Sequence, residues 1–485
     1  MDTPLPKPSF NPNKQLKEQF VSNLTGSSLL ELAALTVTIP ILMLIRHSFT
    51  SIRITGDSLK KKSDDAPSEH RSFKAYLATL TLDFLVIVVP MLLFFTVLAD
   101  WSYILASLFA ILTLLYIAVK RPGGSSPVLE EPNSLRAYIT SYRVIVMIIT
   151  VLCILAVDFR IFPRRYAKTE TYGASLMDLG VGAFVLANSL VSRQARNIAS
   201  VNWKTAIVSS SPLIFLAFFR LVTTTGVDYQ VHMSEYGVHW NFFFTLAAIS
   251  IITSFINIPP QYSGVFGSLV LVGYQFSLMH GLNHYLLSNE RGTDIISQNK
   301  EGIFSIFGYW GMYLIGVHLG NYLIFGSHSS ANRSSRWVRM RVWILSILFW
   351  LLTVLLDRHV ERISRRTCNL AYVTMVVADN LQLLSILTLA DLIPGSKTSV
   401  LEEAFNRNLL ATFLLANLLT GLVNLSVDTL SASSTTALFI LIVYAYTLST
   451  VIGIADYFDG LDYTAVKFTV NNLGGRWSET ADRLI

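Results

Sequence analysis

Apolar residues along this chain come in long blocks separated by short polar stretches. The blocks centre on 28–46, 76–98, 101–119, 138–157, 173–191, 205–224, 237–257, 264–280, 303–325, 338–355, 369–391, 407–425 and 436–455. Each is close to the roughly 20 residues that a helix needs to cross a bilayer at about 1.5 Å rise per residue. Hydrocarbon leaves no water to satisfy backbone polar groups, so runs of this length are read as helices. The pattern predicts an all-α polytopic membrane protein, a bundle of about 13 transmembrane helices. Blocks two and three are nearly continuous and need a tight turn near Asp100. Block eight is short and glycine-rich, and block eleven carries Asp379. The expected division is an N-terminal segment over 1–26, the bundle over 27–455 and a polar tail over 456–485.

Composition removes the rival that length would favour. A chain of 485 residues could hold two or three soluble domains, but only 14% of this one is charged and 52% is hydrophobic. Soluble domains run near about 25% charged. The net charge of +6 is scattered over loops, so it gives no nucleic-acid signal. Cys153 and Cys368 make neither a disulfide framework nor a metal cluster. The polar, proline-bearing first 26 residues do not read as a cleavable signal peptide, and the first apolar block is expected to insert itself.

Charge also orients the bundle. The loop between blocks one and two holds Arg53, Lys60, Lys61, Lys62, Arg71 and Lys74, the strongest cytoplasmic signal in the chain. With an odd number of spans, the N-terminus is expected in the lumen and the C-terminus in the cytoplasm. The sequon Asn23-Leu24-Thr25 then falls on the lumenal side and Asn332-Arg333-Ser334 on the cytoplasmic side. The stretch 56–74 reads as a mobile cytoplasmic loop.

Function is expected where the bilayer rules are broken. The loop DFRIFPRRYAKTETYG, 158–173, carries Arg160, Arg164, Arg165 and Lys168 on the side that should be poor in cations. An anion-binding loop would use arginines as paired donors to phosphate; ordinary headgroup contact would look the same. Asp158 ends an apolar run, a setting that disfavours the charged carboxylate and can tune it towards general-base work. Lys168, across a proline turn, could stabilise developing negative charge or simply form an ion pair. In SEYGVHWNFFFT, 234–245, Glu235, Tyr236, His239, Trp240 and Asn241 stand at a helix mouth, as interfacial anchors or as site residues. Asn299 fits an N-cap, Arg365 and Arg366 fit snorkelling cations, and Asn417, Thr420 and Asn424 fit helix-to-helix contacts. Asp83, Arg143, Asp178, Arg220 and Asp379 lie within apolar blocks, where charge is costly, and are expected to face the bundle interior or a wet cavity. These features alone leave an intramembrane enzyme, a transporter and a scaffold all open.

Longer stretches carry a resemblance. ILAVDFRIFPRRYAKTETYG at 154–173, SLMDLGVGAFV at 175–185, YQVHMSEYGVHWNFFFT at 229–245, NKEGIFSIFGY at 299–309 and SRRTCNLAY at 364–372 occur in the order found in one family. The chain resembles the endoplasmic-reticulum inositol acyltransferases of GPI-anchor biosynthesis, called PIG-W in animals and GPI-anchored wall transfer protein in fungi. It departs from the family pattern at Arg160, Val231 and Lys300, where proline, glutamate and arginine are expected. The resemblance implies transfer of a fatty acyl group, commonly palmitoyl, from acyl-CoA to the inositol 2-hydroxyl of glucosaminyl-phosphatidylinositol. It implies no metal and no cofactor beyond acyl-CoA as co-substrate, membrane lipids as surroundings and no obligatory protein partner. It makes Asp158 and Lys168 the leading catalytic candidates, with His239 in reserve. Arg164, Arg165, Asp178, Arg220, Glu235, Tyr236, Trp240, Asn241, Arg365 and Asn417 are the expected substrate-binding set.

Overall fold

The computed structural model describes residues 16, 17, 19–58, 72–119, 134–198, 203–224, 233–288, 290–325, 335–393 and 398–472. The stretch 59–71, Val231, the sequon at Asn332 and the tail after Asn472 lie outside the described residues. The longer helices are α1 Leu29–Ser58, α2 Phe73–Phe95, α3 Ser102–Val119, α4 Ser134–Ala156, α5 Leu176–Leu190, α6 Trp203–Thr224 and α7 Phe242–Ile256. They continue as α8 Pro260–Ser277, α9 Lys300–Gly320, α10 Ser335–His359, α11 Leu370–Leu387, α12 Val400–Arg407, α13 Leu409–Ser426 and α14 Ser434–Asn472. Ten described helices are long and apolar enough to cross a membrane. The three other apolar blocks fold as α5, α6 and α7, whose apolar stretches, Leu176–Leu190, Ala206–Val222 and Phe242–Ile256, are shorter. The expected turn near Asp100 is a single 3-10 turn, Ala99–Trp101.

Local sequence sets several helix starts. Ser175, Asn241 and Asn369 sit in extended backbone, and their side chains accept first-turn N–H groups of α5, α7 and α11. Ser399 and Glu402 form a reciprocal capping box on α12. α2 passes through a π-helical turn at Phe84–Val88, just after the buried Asp83.

α11 is the axis of the bundle. In its most apolar window 89% of residues are buried, against 17% in α13. It packs on α1, α4, α5, α8, α9 and α10. A helix covered on all sides cannot show an amphipathic stripe, so its near-continuous hydrophobicity is what the position demands.

Polar staples tie α12 into the bundle. Arg46 of α1 meets Asp83 of α2 at 2.5 Å, and Asp83 also accepts the N–H of Leu401 at 3.1 Å. Glu402 takes His47 at 2.7 Å and the hydroxyl of Ser141 at 2.6 Å. Removing one partner of a buried pair costs about 3–5 kcal/mol, because the other group stays desolvated. Asp83→Ala is therefore expected to lower the thermal unfolding midpoint clearly in detergent, while a substitution at the exposed Lys74, such as Lys74→Ala, does not. An unchanged midpoint in Asp83→Ala would remove this pair from the stabilising set.

Candidate active site

A cavity of about 1330 Å³ opens where α4 ends and α5 begins. Its walls come from α4, α5, α6, α11 and α13, with the loop that follows α4 and the segment before α7 closing its mouth. The mouth carries Asp158, Lys168, Arg220, Glu235 and Arg365. The inner wall is hydrocarbon, from residues such as Val146, Ile149, Leu179, Phe184, Leu383 and Phe413. On one side the cavity is bordered by α6 and α13, whose Phe215, Phe219, Leu418, Leu422 and Leu425 line it and are exposed.

The loop from Val157 to Ala174 is tied down by contacts that occupy Arg164 and Arg165. The Arg164 guanidinium donates to the carbonyls of Val157, Phe159 and Phe162 at 3.0, 3.1 and 2.8 Å, and lies over the Phe20 ring at 3.9 Å. Arg165 pairs with Glu31 at 2.8 Å and Asp100 at 2.7 Å. Gly173 adopts φ +127°, and a Cβ there would stand 2.0 Å from the Thr25 carbonyl oxygen. Only glycine lets the loop lie against the N-terminal segment. Arg164 and Arg165, expected to grip a substrate anion, lie outside the cavity lining, and both hold the loop.

Lys168 does face the cavity, inside a chain of charge. Its ammonium donates to both carboxylate oxygens of Glu235, at 2.8 and 2.9 Å. Glu235 also accepts from Arg365 at 3.0 Å, and Arg365 Nε reaches Asp178 at 2.8 Å. Asp178 is satisfied further by Thr169 Oγ1 at 2.9 Å and Ser175 Oγ at 2.8 Å. It is fully buried behind Arg365 and orients it, rather than forming part of the cavity wall as a binding residue would. Burial alone would raise Glu235; Lys168 and then Arg365 outweigh it and hold the carboxyl at about 2. Burial pulls the Lys168 ammonium below the ordinary lysine range, and Glu235 opposes that pull. The Lys168 side chain is 41% exposed and lines the cavity mouth.

Asp158 is engaged differently. It lines the same cavity and accepts a hydrogen bond from Asn424 of α13, whose Nδ2 donates at 2.7 Å. Lys17 donates to the other end of that amide at 3.0 Å. An ammonium only donates, so it must face the amide oxygen, which leaves the NH₂ for the carboxylate. Burial raises the Asp158 carboxyl, while Asn424, Lys17 and Arg164 pull it down. Asp158 and Lys168 are engaged by different partners: Lys168 pairs with Glu235, and Asp158 with Asn424.

Of the other expected residues, Arg220, Tyr236 and Asn417 line the cavity. Arg220 acts electrostatically on both Lys168 and Glu235. His239 is exposed and contributes its backbone N–H to Asn299 Oδ1 at 2.8 Å. Trp240 covers Gly302, where a Cβ would meet its ring at 2.4 Å. Asn241 caps α7 and donates to the Ala217 carbonyl at 2.9 Å. These three are outside the cavity wall, because the turn that carries them is pinned by Asn299. Asn299 stands at the N-cap position of α9 but bonds the backbone of His239 and Trp240 rather than capping its own helix. Sequence reasoning missed Lys17 and Asn380 as cavity residues and read Asn424 only as helix-to-helix glue; polar spacing within α13 was the one signal available for Asn424.

Fold and site together define an all-helical, multi-pass membrane protein built around an amphipathic internal cavity with ionised groups at its mouth. The chain belongs to the GWT1 family, which it matches over residues 13–455. It is 57% identical over 419 residues to an uncharacterized protein of Arabidopsis thaliana, covering 85% of this chain and 96% of that protein. It is 38% identical to the phosphatidylinositol-glycan biosynthesis class W protein of Dictyostelium discoideum, over 67% of this chain and 75% of the relative. It is 31% identical to the mouse glucosaminyl-phosphatidylinositol-acyltransferase PIGW, over 91% of this chain and 98% of the relative.

Proposed function

We propose that this chain is the inositol O-acyltransferase of GPI-anchor biosynthesis. It moves palmitoyl from acyl-CoA to the 2-hydroxyl of inositol in glucosaminyl-phosphatidylinositol, in the endoplasmic-reticulum membrane. The observation that carries this reading is one cavity joining a hydrocarbon interior to a charged mouth. Such a space accepts an acyl chain and a phosphate-bearing polar acceptor at once. The family's named acyltransferase in mouse supports the same reaction.

In the proposed step Asp158 takes the proton of the inositol hydroxyl as its oxygen bonds to the thioester carbonyl carbon. Lys168 donates to the oxyanion that forms. The carbon–sulfur bond then breaks, and the CoA thiolate leaves with the proton that Asp158 had taken. A thioester is already activated, so no acyl-enzyme is required. Arg220 and Arg365, at the cavity wall, take the anion-facing role first expected of Arg164 and Arg165. The acceptor is a lipid and enters from the side bordered by α6 and α13. The three shorter helices cross with the ten longer ones, giving 13 spans, a lumenal N-terminus and a cytoplasmic C-terminus.

The test is acyl transfer by the purified protein in detergent, with labelled palmitoyl-CoA and glucosaminyl-phosphatidylinositol. Labelled acyl-inositol product is expected. A folded protein that binds CoA and transfers nothing would overturn the enzyme reading and favour transport.

A further inference from the structure

Asp158 stands just beyond the end of α4, in the loop, where no helix fixes its side chain. The torsion that turns a carboxylate plane is soft, so its direction must be set from outside. Asn424 of α13 sets it. Its Nδ2 donates to Asp158 Oδ2 at 2.7 Å and to the Thr420 carbonyl, one turn back, at 3.2 Å. Its Oδ1 accepts from the Lys17 ammonium at 3.0 Å. Every polar group of the amide is thus used, and flipping it would turn each of these contacts into a repulsive one. The other carboxylate oxygen, Asp158 Oδ1, accepts no hydrogen bond among the described residues and is not sealed off from the cavity that Asp158, Asn424 and Lys17 all line. One oxygen is tied down and the other is open.

We propose that Asn424 is the positioning residue of the acyl transfer: it holds Asp158 Oδ2 so that Oδ1 faces the cavity as the atom that takes the inositol proton, and Lys17 holds the amide in that sense. The inference rests on the reading above, that Asp158 is the base. Asn424 bonds the oxygen that does not react, and so acts only through Asp158, as the third group of a catalytic triad orients its base. The proton passes from the inositol hydroxyl to Oδ1 as the oxygen–carbon bond forms, and from Oδ1 to the departing thiolate; the amide neither gains nor loses one. The charges that act on Asp158 are Lys17 from the N-terminal segment and Arg164 from its own loop. Lys168, Glu170, Arg220, Glu235, Arg365 and Asp428 share the cavity wall. The amide donor favours the charged carboxylate, so without it the carboxyl binds its proton more tightly.

The experiment reads kcat against pH for the purified full-length protein with palmitoyl-CoA and glucosaminyl-phosphatidylinositol, in wild type, Asn424→Leu, Asp158→Asn and the double variant. Leucine is close to asparagine in size and cannot donate. Asn424→Leu is expected to lower kcat on the plateau by roughly tenfold to 10²-fold, the cost of a base misplaced by about 1 Å, with the KM for acyl-CoA near its wild-type value. Its acidic limb is expected to move up by about one to two pH units, the scale of one hydrogen bond to a charged group. In the Asp158→Asn background the same substitution should cost less than about twofold, because the amide has no base left to orient. If Asn424→Leu does not fold, Asn424→Ala removes the same donor and gives the same readouts. An acidic limb that stays in place in the folded variant overturns the proposal, as does an equal loss in both backgrounds, which is what a purely structural contact would give. Wild-type kcat in Asp158→Asn would instead overturn the base assignment, and failure of wild type to transfer would overturn the proposed function.

Discussion

Asp158→Asn lowers kcat by about 10²- to 10⁴-fold, the range for losing a positioned general base, with the KM for acyl-CoA near its wild-type value. The change replaces one oxygen by an NH₂ group, and the remaining amide oxygen can still accept from Asn424 at the 2.7 Å contact. The loop is held independently, by the three carbonyl contacts of Arg164 and by the Arg165 pairs, so the fold should survive. What is lost is the ability to take a proton. The pH profile carries a second signature. Burial holds the Asp158 carboxyl above the ordinary carboxylate value of about 4. The base works when deprotonated, so the acidic limb of the wild-type profile should lie above that value. The charge of Lys17 pulls the carboxyl down, so Lys17→Met should move the limb to still higher pH. A folded Asp158→Asn protein with wild-type kcat would remove Asp158 from the reaction.

Lys168→Ala is expected to cost about 10²- to 10³-fold in kcat, the loss typical of one oxyanion donor. The ammonium is held by both oxygens of Glu235, which Arg365 and Asp178 hold in turn, so it is positioned before substrate arrives. Burial lowers its proton affinity below that of an ordinary lysine. Its positive charge is present at low pH and lost as pH rises, so the alkaline limb of the wild-type profile should come earlier than an exposed lysine would give. That limb should vanish in Lys168→Ala. Combining Lys168→Ala with Asp158→Asn should cost little more than either change alone, because base and donor serve one transition state. Full additivity of the two losses in kcat would mean that they act independently and would sink the shared step.

The two residues behaved differently under sequence reading for physical reasons. Asp158 ended a hydrophobic run, and a carboxylate at such a boundary is visible as a broken rule. Its partners were not visible: Asn424 and Lys17 come from opposite ends of the chain and meet only because α13 packs beside the N-terminal segment. Arg164 and Arg165 were legible as excess charge but not as occupied charge. Their partners, the carbonyls of their own loop and the distant Glu31 and Asp100, are set by how the loop closes. Likewise, His239 shares a turn with Glu235, yet Asn299 pins that turn so that Glu235 faces the cavity and His239 does not.

By itself the sequence determined that the chain is a helical membrane protein, where its helices fall, and that ionisable groups sit among them. Long apolar runs in a bilayer leave the backbone one local solution, so hydropathy alone specifies them. The tertiary structure decided which charges meet, which are used up holding a loop, and that Asp379 stands in the cavity without a full set of partners. Those outcomes depend on helices far apart in the chain coming together around α11, and pairwise contact between distant residues leaves no mark on local pattern.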